Sequence, residues 1–351
     1  MVPKASQASQ SWPILEGVEP RPNPSNYAGS WYPAEAADLE ALLRNPPDWP
    51  HLPCAGPPPE EVLSGAVLPH AGLFYSAPGQ AALWNRWYPL KGRAAPEAVV
   101  IVSPSHYAGI PRGCLVGASF SRHETPLGDL PGLLPPFGVG DSFGDRDDPP
   151  LLAREHGLEL LLPGLRCWAG AVPTALLLTG PVASPGEATA AARRLLDRFS
   201  RQVDPRKVLW LASSDFTHYG PRFGTGRGGG RPSRGRGGPA GSGGTGSADA
   251  LRGEVLGDDL ALAEAASSGD LHRYWAALKE PSSVCGRFAI ALVLAVLDEI
   301  FGSDNLGGRP LCCYTSADRQ PPPPEGDREA LSFVSYATLE ITRRDSREGL
   351  R

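Results

Sequence analysis

KVLWLASSDFTHYG, residues 207–220, decides the fold. Its first half is an unbroken apolar run up to the serines, and then the chain turns abruptly polar. A short apolar run without alternation reads as a strand buried on both faces, as the strands of a parallel sheet are. In an open α/β sheet, ligands bind in the crevice beyond the carboxyl ends of the strands. Asp215 and His218 therefore stand where chemistry is placed, and the other apolar runs can be read for the same feature.

SGAVLPH (64–70), EAVVIVSPSH (97–106) and AVPTALLLTG (171–180) are further buried strands on this reading, and LSFVSYATLEI (331–341) alternates like a late strand. SPGEATAAARRLLDRFS (184–200) has helical spacing, and residues 248–269 have it less regularly. VCGRFAIALVLAVLDEIFG (284–302) is apolar nearly all round, which makes it a central buried helix. The expected fold is layered α/β, a central, largely parallel or mixed sheet with helices on both faces.

Two of these strands end at a histidine, His70 in LPHAG and His106 in SPSHY. With Asp215 and His218 they line one shared crevice. Cys285 stands where the loop EPSSV enters the apolar helix, and a helix N-terminus lowers a thiol's pKa from about 8.5 toward neutral. Two imidazoles and a sulfur suit iron, copper or zinc, whereas magnesium and calcium take oxygen ligands. Three protein ligands leave a coordination position for water or substrate. Taken singly, each histidine reads as a hydrogen-bonded loop residue and the cysteine as a small hydrophobe; their convergence carries the argument.

The chain has 351 residues, 41% of them hydrophobic, enough for a sizeable core in one large domain or two. Its net charge of -5 argues against a nucleic-acid binder. Six cysteines (54, 114, 167, 285, 312 and 313) lack the spacing of a disulfide framework, so a reducing, cytoplasmic setting is expected. The longest apolar stretch, residues 289–297, falls short of the roughly 20 residues that a bilayer requires, and no signal-peptide pattern opens the chain. Residues 1–26 read as a flexible arm. Residues 221–247, with five arginines among glycine and serine and no acid, read as a disordered surface insertion. It resembles segments that bind single-stranded nucleic acid, but a loop expansion is the reading adopted.

GSWYP (29–33), LPHAGLFYSAPGQA (68–81), SPSHY (103–107), ETPLGDL (124–130), EHGLELLLPGL (155–165), SSDFTHYG (213–220) and CGRFAI (285–290) together resemble, in order, the motif series of the Memo family. The family is also known in prokaryotes as component B of the AmmeMemoRadiSam system. The resemblance implies one domain over 27–340, a tail at 341–351 and the fold of class III extradiol dioxygenases (LigB-like). It implies a metal site of His70, His106 and Cys285 holding iron or copper, with Asp215 and His218 on the opposite wall and Trp31 and Tyr75 lining the cleft. A eukaryotic member is described as a copper-dependent redox protein that interacts with a phosphorylated receptor tail. His156 and Glu159, one helical turn apart, either face that pocket or form a charge cluster at a helix start. Relatives commonly carry serine where this chain has Gly157, and proline where CGRFAI has Ala289. Arg287 either packs its helix or clamps an anion, while His51, His123 and His272 read as surface residues.

Three functions compete. In the first, a metal-dependent oxidoreductase uses iron or copper, with zinc as a further option, and His218, oriented by Asp215, acts as acid or base. Ring-cleaving dioxygenase activity is not expected, because those enzymes use a carboxylate with two histidines. In the second, a binding module recognises a phosphorylated or anionic peptide without turnover. In the third, a hydrolase uses Cys285 as nucleophile and His218 as base. The partners expected are a small molecule or peptide in the cleft and a protein partner; neither membrane, DNA nor nucleic acid bound through the insertion is expected.

Overall fold

The computed structural model describes residues 21–46, 61–87, 95–133, 144–223, 248–280, 282–319 and 332–344. The first half of the chain forms β1 (Arg21–Asn23), α1 (Ala36–Arg44), β2 (Glu61–Leu68), α2 (Leu73–Trp87), β3 (Ala98–Pro104), β4 (Leu115–Gly117), β5 (Phe120–His123), β6 (Leu130–Pro131) and β7 (Arg146–Asp147). Three short helices follow, α3 (Pro149–Ala153), α4 (His156–Glu159) and α5 (Leu162–Ala169), and then β8 (Thr174–Thr179), α6 (Pro185–Phe199), β9 (Val208–Ser213) and β10 (His218–Tyr219). The last part holds α7 (Ala248–Ser267), α8 (Leu271–Ala277), α9 (Arg287–Phe301), β11 (Leu306–Thr315) and β12 (Phe333–Arg344).

A nine-stranded mixed sheet runs in the order β10-β12-β2-β9-β3-β8-β4-β7, with β11 paired to the other side of β12. Its centre, β2-β9-β3-β8, is parallel. Antiparallel β12 and β4 flank it. Side chains alternate across this centre, so an apolar residue is needed at every position. Val100, Val102, Leu177, Trp210 and Ala212 pack in one core with α6, α7, α8 and α9. Val99, Ile101, Leu176, Leu178, Leu209 and Leu211 face a second core with α2, α3 and α5. Helices on both faces of a mixed sheet are the architecture that the sequence implies.

Local signals fix the two helices that matter most for position. Ser184 caps α6 through the Glu187 amide, Pro185 occupies its first turn, and Ala188, Ala191, Ala192, Leu195 and Phe199 form its buried stripe. In α9 every residue from Ala289 to Leu297 is buried, and Gly302 ends the helix at φ 77°. A helix with no polar face in its middle turns has to lie under the sheet, and α9 packs against β2, β3, β8 and β9.

Several boundaries differ from the sequence reading. The segment read as a flexible arm is ordered at its end: β1 pairs with β5 in a three-stranded sheet β1-β5-β6. The domain does not stop at 340, because β12 continues to Arg344 against β2. His123, read as a surface residue, is buried: its Nε2 lies 2.9 Å from the Thr174 carbonyl and its Nδ1 3.3 Å from Asn23 Nδ2. His272 is exposed, as read, and His51 and Cys54 lie outside the described residues. So does the arginine-rich insertion, apart from its first three residues, Pro221–Phe223. Among the described residues no helix is long and apolar enough to cross a membrane.

Candidate metal centre

The strand order brings the polar strand ends together. Because β9 lies between β2 and β3, the segments carrying His70, Asp215 and His106 leave the sheet side by side. Cys285 arrives from the other face, one residue before the N-cap of α9. Its approach depends on Gly286: a Cβ there would overlap the Ser213 carbonyl and the Ser214 side chain. The ligand atoms of His70, His106 and Cys285 all lie within 4.8 Å of one another.

Hydrogen bonds fix which nitrogen each imidazole turns to the centre. Ser213 Oγ donates to the Gly157 carbonyl, so at 2.8 Å it accepts from His70 Nδ1. His70 is then the Nδ1–H tautomer, and its Nε2 lone pair lies 3.2 Å from Cys285 Sγ. His106 Nδ1 donates to the Glu155 carboxylate at 2.6 Å, and the same carboxylate accepts the His106 amide at 2.8 Å. This is the carboxylate–histidine support that metal-ligating imidazoles carry. Typical Zn–N and Zn–S lengths span about 3.5 Å across a tetrahedral ion, so a His70–Cys285 separation of 3.2 Å needs only a small opening. Two imidazoles and one thiol fit a borderline or soft ion.

Burial pushes the Cys285 thiol above its ordinary pKa, and the Asp215 carboxylate adds to the effect. This corrects the expectation that the helix N-terminus makes a thiolate: loss of water outweighs the dipole here. The thiol instead donates to the His70 Nε2 lone pair at 3.2 Å, with the Asp215 carbonyl a second acceptor at 3.4 Å, and the sulfur accepts the Asp215 amide at 3.3 Å. A coordinated ion removes the proton from such a thiol outright. Burial likewise holds His70 well below the usual histidine range, helped by the neighbouring imidazoles, so it is a neutral imidazole at pH 7.

Asp215 and His218 are differently engaged from the sequence reading. Asp215 Oδ1 accepts the amides of His70 at 2.8 Å and Ala71 at 3.2 Å, so the carboxylate shapes the loop that carries His70. Burial raises its pKa, against the opposing pull of His218. The His218 ring is oriented by two carbonyls, Phe216 and Ser283, each 3.1 Å from Nδ1. The preceding Thr217 is tied to the buried carboxylate of Asp259 on α7 at 2.8 Å. Arg287 does not line the cleft: its guanidinium holds the Ser282 and Val284 carbonyls, which fixes the loop leading to Cys285.

Trp31, Tyr75, His156, Asp215 and His218 all line one cavity of about 350 Å³ together with His70 and His106. Glu159 does not line it. Its carboxylate accepts the Tyr32 hydroxyl and the Tyr27 and Asn26 amides, which straps the loop bearing Trp31 onto α4. His156 stacks between Trp31 and His106, at 4.7 and 4.2 Å between ring centroids, and burial lowers its pKa to about 4. A side chain at Gly157 would overlap Ser103 Oγ and lie 3.4 Å from both His70 and His106, so the glycine at this position matches the serine on β3. Sequence reasoning left Ser213, Tyr107, Tyr336 and Phe223 unassigned and gave Glu155 no site role. Glu155 sat in a quoted motif, but nothing in its spacing told which imidazole it would hold.

The profile of the Memo-like protein family matches residues 23–307. A MEMO1 family protein of Pyrobaculum arsenaticum is 28% identical over 294 residues, 80% of this chain and 88% of the relative. A MEMO1 family protein of Ignicoccus hospitalis is 31% identical over 211 residues, 56% of this chain and 69% of the relative. The memo-1 homolog of Caenorhabditis elegans is 29% identical over 214 residues, 60% and 56% respectively.

Proposed function

The chain belongs to the Memo family, and we propose that it is a metalloprotein whose His70, His106 and Cys285 hold a redox-active iron or copper ion in the cleft. The observation that carries this reading is the pair of imidazoles whose Nδ1 protons are both committed to the protein, beside a half-buried thiol. Bound there, iron or copper would supply one-electron redox chemistry. Zinc fits the same donors but supplies none.

The chain's own residues set the conditions. Ser213 and Glu155 hold the tautomers, and the Asp215 carboxylate holds the His70 loop. His218 lines the cavity with its ring positioned by two carbonyls at Nδ1, and in this reading it serves as acid or base on a bound ligand. A thiolate as third donor, in place of a carboxylate, argues against aromatic ring cleavage. The raised thiol pKa argues against Cys285 as a hydrolytic nucleophile in the metal-free protein.

A module for phosphorylated or anionic peptides has less support, since none of the described residues lining the cavity is lysine or arginine. The test is metal content after anaerobic purification: about one iron or copper per chain in the unaltered protein and almost none in His70→Ala. A protein that refuses iron and copper but takes one zinc would refute the redox reading, and one that refuses all three would refute the metal site.

A further inference from the structure

The segment between β9 and β10 is the hub of the cleft. Asp215 holds the amides of the His70 loop and gives its own amide to Cys285 Sγ at 3.3 Å. Ser214 Oγ accepts the Gly286 amide at 3.1 Å, and the His218 amide donates to Ser283 Oγ at 3.1 Å. Residues 214–218 therefore touch both the His70 loop and the loop that delivers Cys285. Such a hub needs a fixed support, and α7 supplies one from outside the cavity.

Asp259 on α7 is 3% exposed, while its neighbour Asp258 pairs with Lys279 at 2.7 Å. The Asp259 carboxylate accepts the Thr217 hydroxyl at 2.8 Å and also the Ser335 hydroxyl. Ser335 Oγ in turn accepts the Thr217 amide at 2.8 Å, and the Thr217 carbonyl accepts the Ser335 amide at 2.9 Å. None of these three residues lines the cavity, and among the described residues no cation pairs with Asp259. An ionised carboxylate is costly to bury, and apolar groups of the same shape could replace the whole set at little loss of stability. Stability alone gives no reason for an acid here. Geometry does: a carboxylate only accepts, so both hydroxyl protons point at it and the Ser335 lone pair is left for the Thr217 amide. An asparagine would offer one acceptor and one NH2, and one hydroxyl would lose its partner. A buried network with every member paired rigidifies what it holds.

We propose that Asp259 is a positioning residue for the cleft: through the Thr217 and Ser335 hydroxyls it fixes residues 214–218, and so holds the His218 imidazole as the Nδ1–H tautomer against the Phe216 and Ser283 carbonyls. It acts from outside the cavity, through Thr217, one residue before His218. The inference deepens the reading of His218 as acid or base at the metal centre and rests on it, although fixing the tautomer does not itself require the ion.

The experiment is heteronuclear imidazole NMR on the full chain after treatment with a chelator, with the His218 signal assigned by its loss in His218→Gln. The unaltered protein should show His218 almost wholly as the Nδ1–H tautomer. Asp259→Asn, and independently the near-isosteric Thr217→Val, should lower that tautomer preference by about tenfold, roughly what one lost hydrogen bond to a charged group costs. The double variant should match the single ones, because all remove the same contact. His123→Gln, a control that disturbs the small sheet, should leave the His218 signal unmoved. Should Asp259→Asn fail to fold, Thr217→Val alone decides. A His218 signal unchanged in the folded variants, whatever their loss of stability, overturns the proposal, as do additive effects in the double variant. Metal titration of the same proteins keeps the two readings apart. If His218 responds to the variants but the unaltered protein takes no iron, copper or cobalt, the metal centre alone falls. If the protein binds metal and His218 ignores the variants, this inference alone falls.

Discussion

In the small sheet, His123 is 1% exposed and uses both ring nitrogens on the protein, one facing the Thr174 carbonyl and the other Asn23. In the cleft, His70 is 2% exposed, commits Nδ1 to Ser213, and turns Nε2 toward a sulfur and a cavity. Burial is the same in the two regions, and burial pulls both pKa values down. What differs is the second nitrogen. A buried imidazole with both nitrogens used within the protein holds the fold together, and one with a nitrogen aimed into a cavity beside other donor atoms is placed to hold something else.

The contrast is broken most directly by deletion. Alanine at His70 or His106, or serine at Cys285, should weaken iron or copper binding by more than about 100-fold, beyond the usual loss for supporting residues. His123→Ala should leave metal stoichiometry unchanged while lowering unfolding free energy by about 2–4 kcal/mol, the cost of a buried side chain and its hydrogen bonds. Elemental analysis and denaturant unfolding of the same four proteins decide it. Metal loss in His123→Ala equal to that in His70→Ala would abolish the distinction.

Acid sharpens it next. His123 has a folded pKa of about 4 against an ordinary 6.5, so between those values the unfolded chain binds more protons and stability falls as the pH falls. The contribution is complete above about pH 6.5 and is lost on approaching pH 4, about 3 kcal/mol in all. His156 adds in the same direction. The quantity to measure is therefore the difference between wild type and His123→Gln in urea unfolding at pH 7 and pH 4.5, and a variant with the same pH slope as wild type would contradict it.

Smaller effects test the support of the ligands. Glu155→Gln keeps the side-chain shape but loses the charge that holds His106 Nδ1–H, and should weaken metal binding about 10- to 100-fold with little change in melting temperature. Ser213→Ala removes a neutral acceptor from His70 and should cost about tenfold or less. Competition against a chromogenic chelator measures both, and Ser213→Ala weaker than Glu155→Gln would reverse the assignment of the charged support.

The central strands were legible because each is buried on both faces and so reads as a continuous apolar run. β11 was missed, since Gly307, Gly308 and Pro310 break its apolar pattern and it is recognisable only as the partner of β12. α2 was seen as a motif and not as a helix, because it is buried nearly all round and carries Pro78 inside. His123 read as surface because its neighbours Arg122 and Glu124 are charged, and only pairing with β1 and β6 covers it.

The sequence by itself determined the periodicities, the apolar strands and buried helix, and the residue types at their ends: the three donors are of kinds that can hold a metal ion. Only the tertiary structure decided that β9 enters between β2 and β3, that Gly286 lets Cys285 approach, and that Glu159 faces away while Glu155 faces in. The reason is physical. Periodicity records which side of an element is dry, a local property that survives in one dimension, whereas a hydrogen-bond partner or an ion's third ligand is set by segments up to 215 positions apart in the chain.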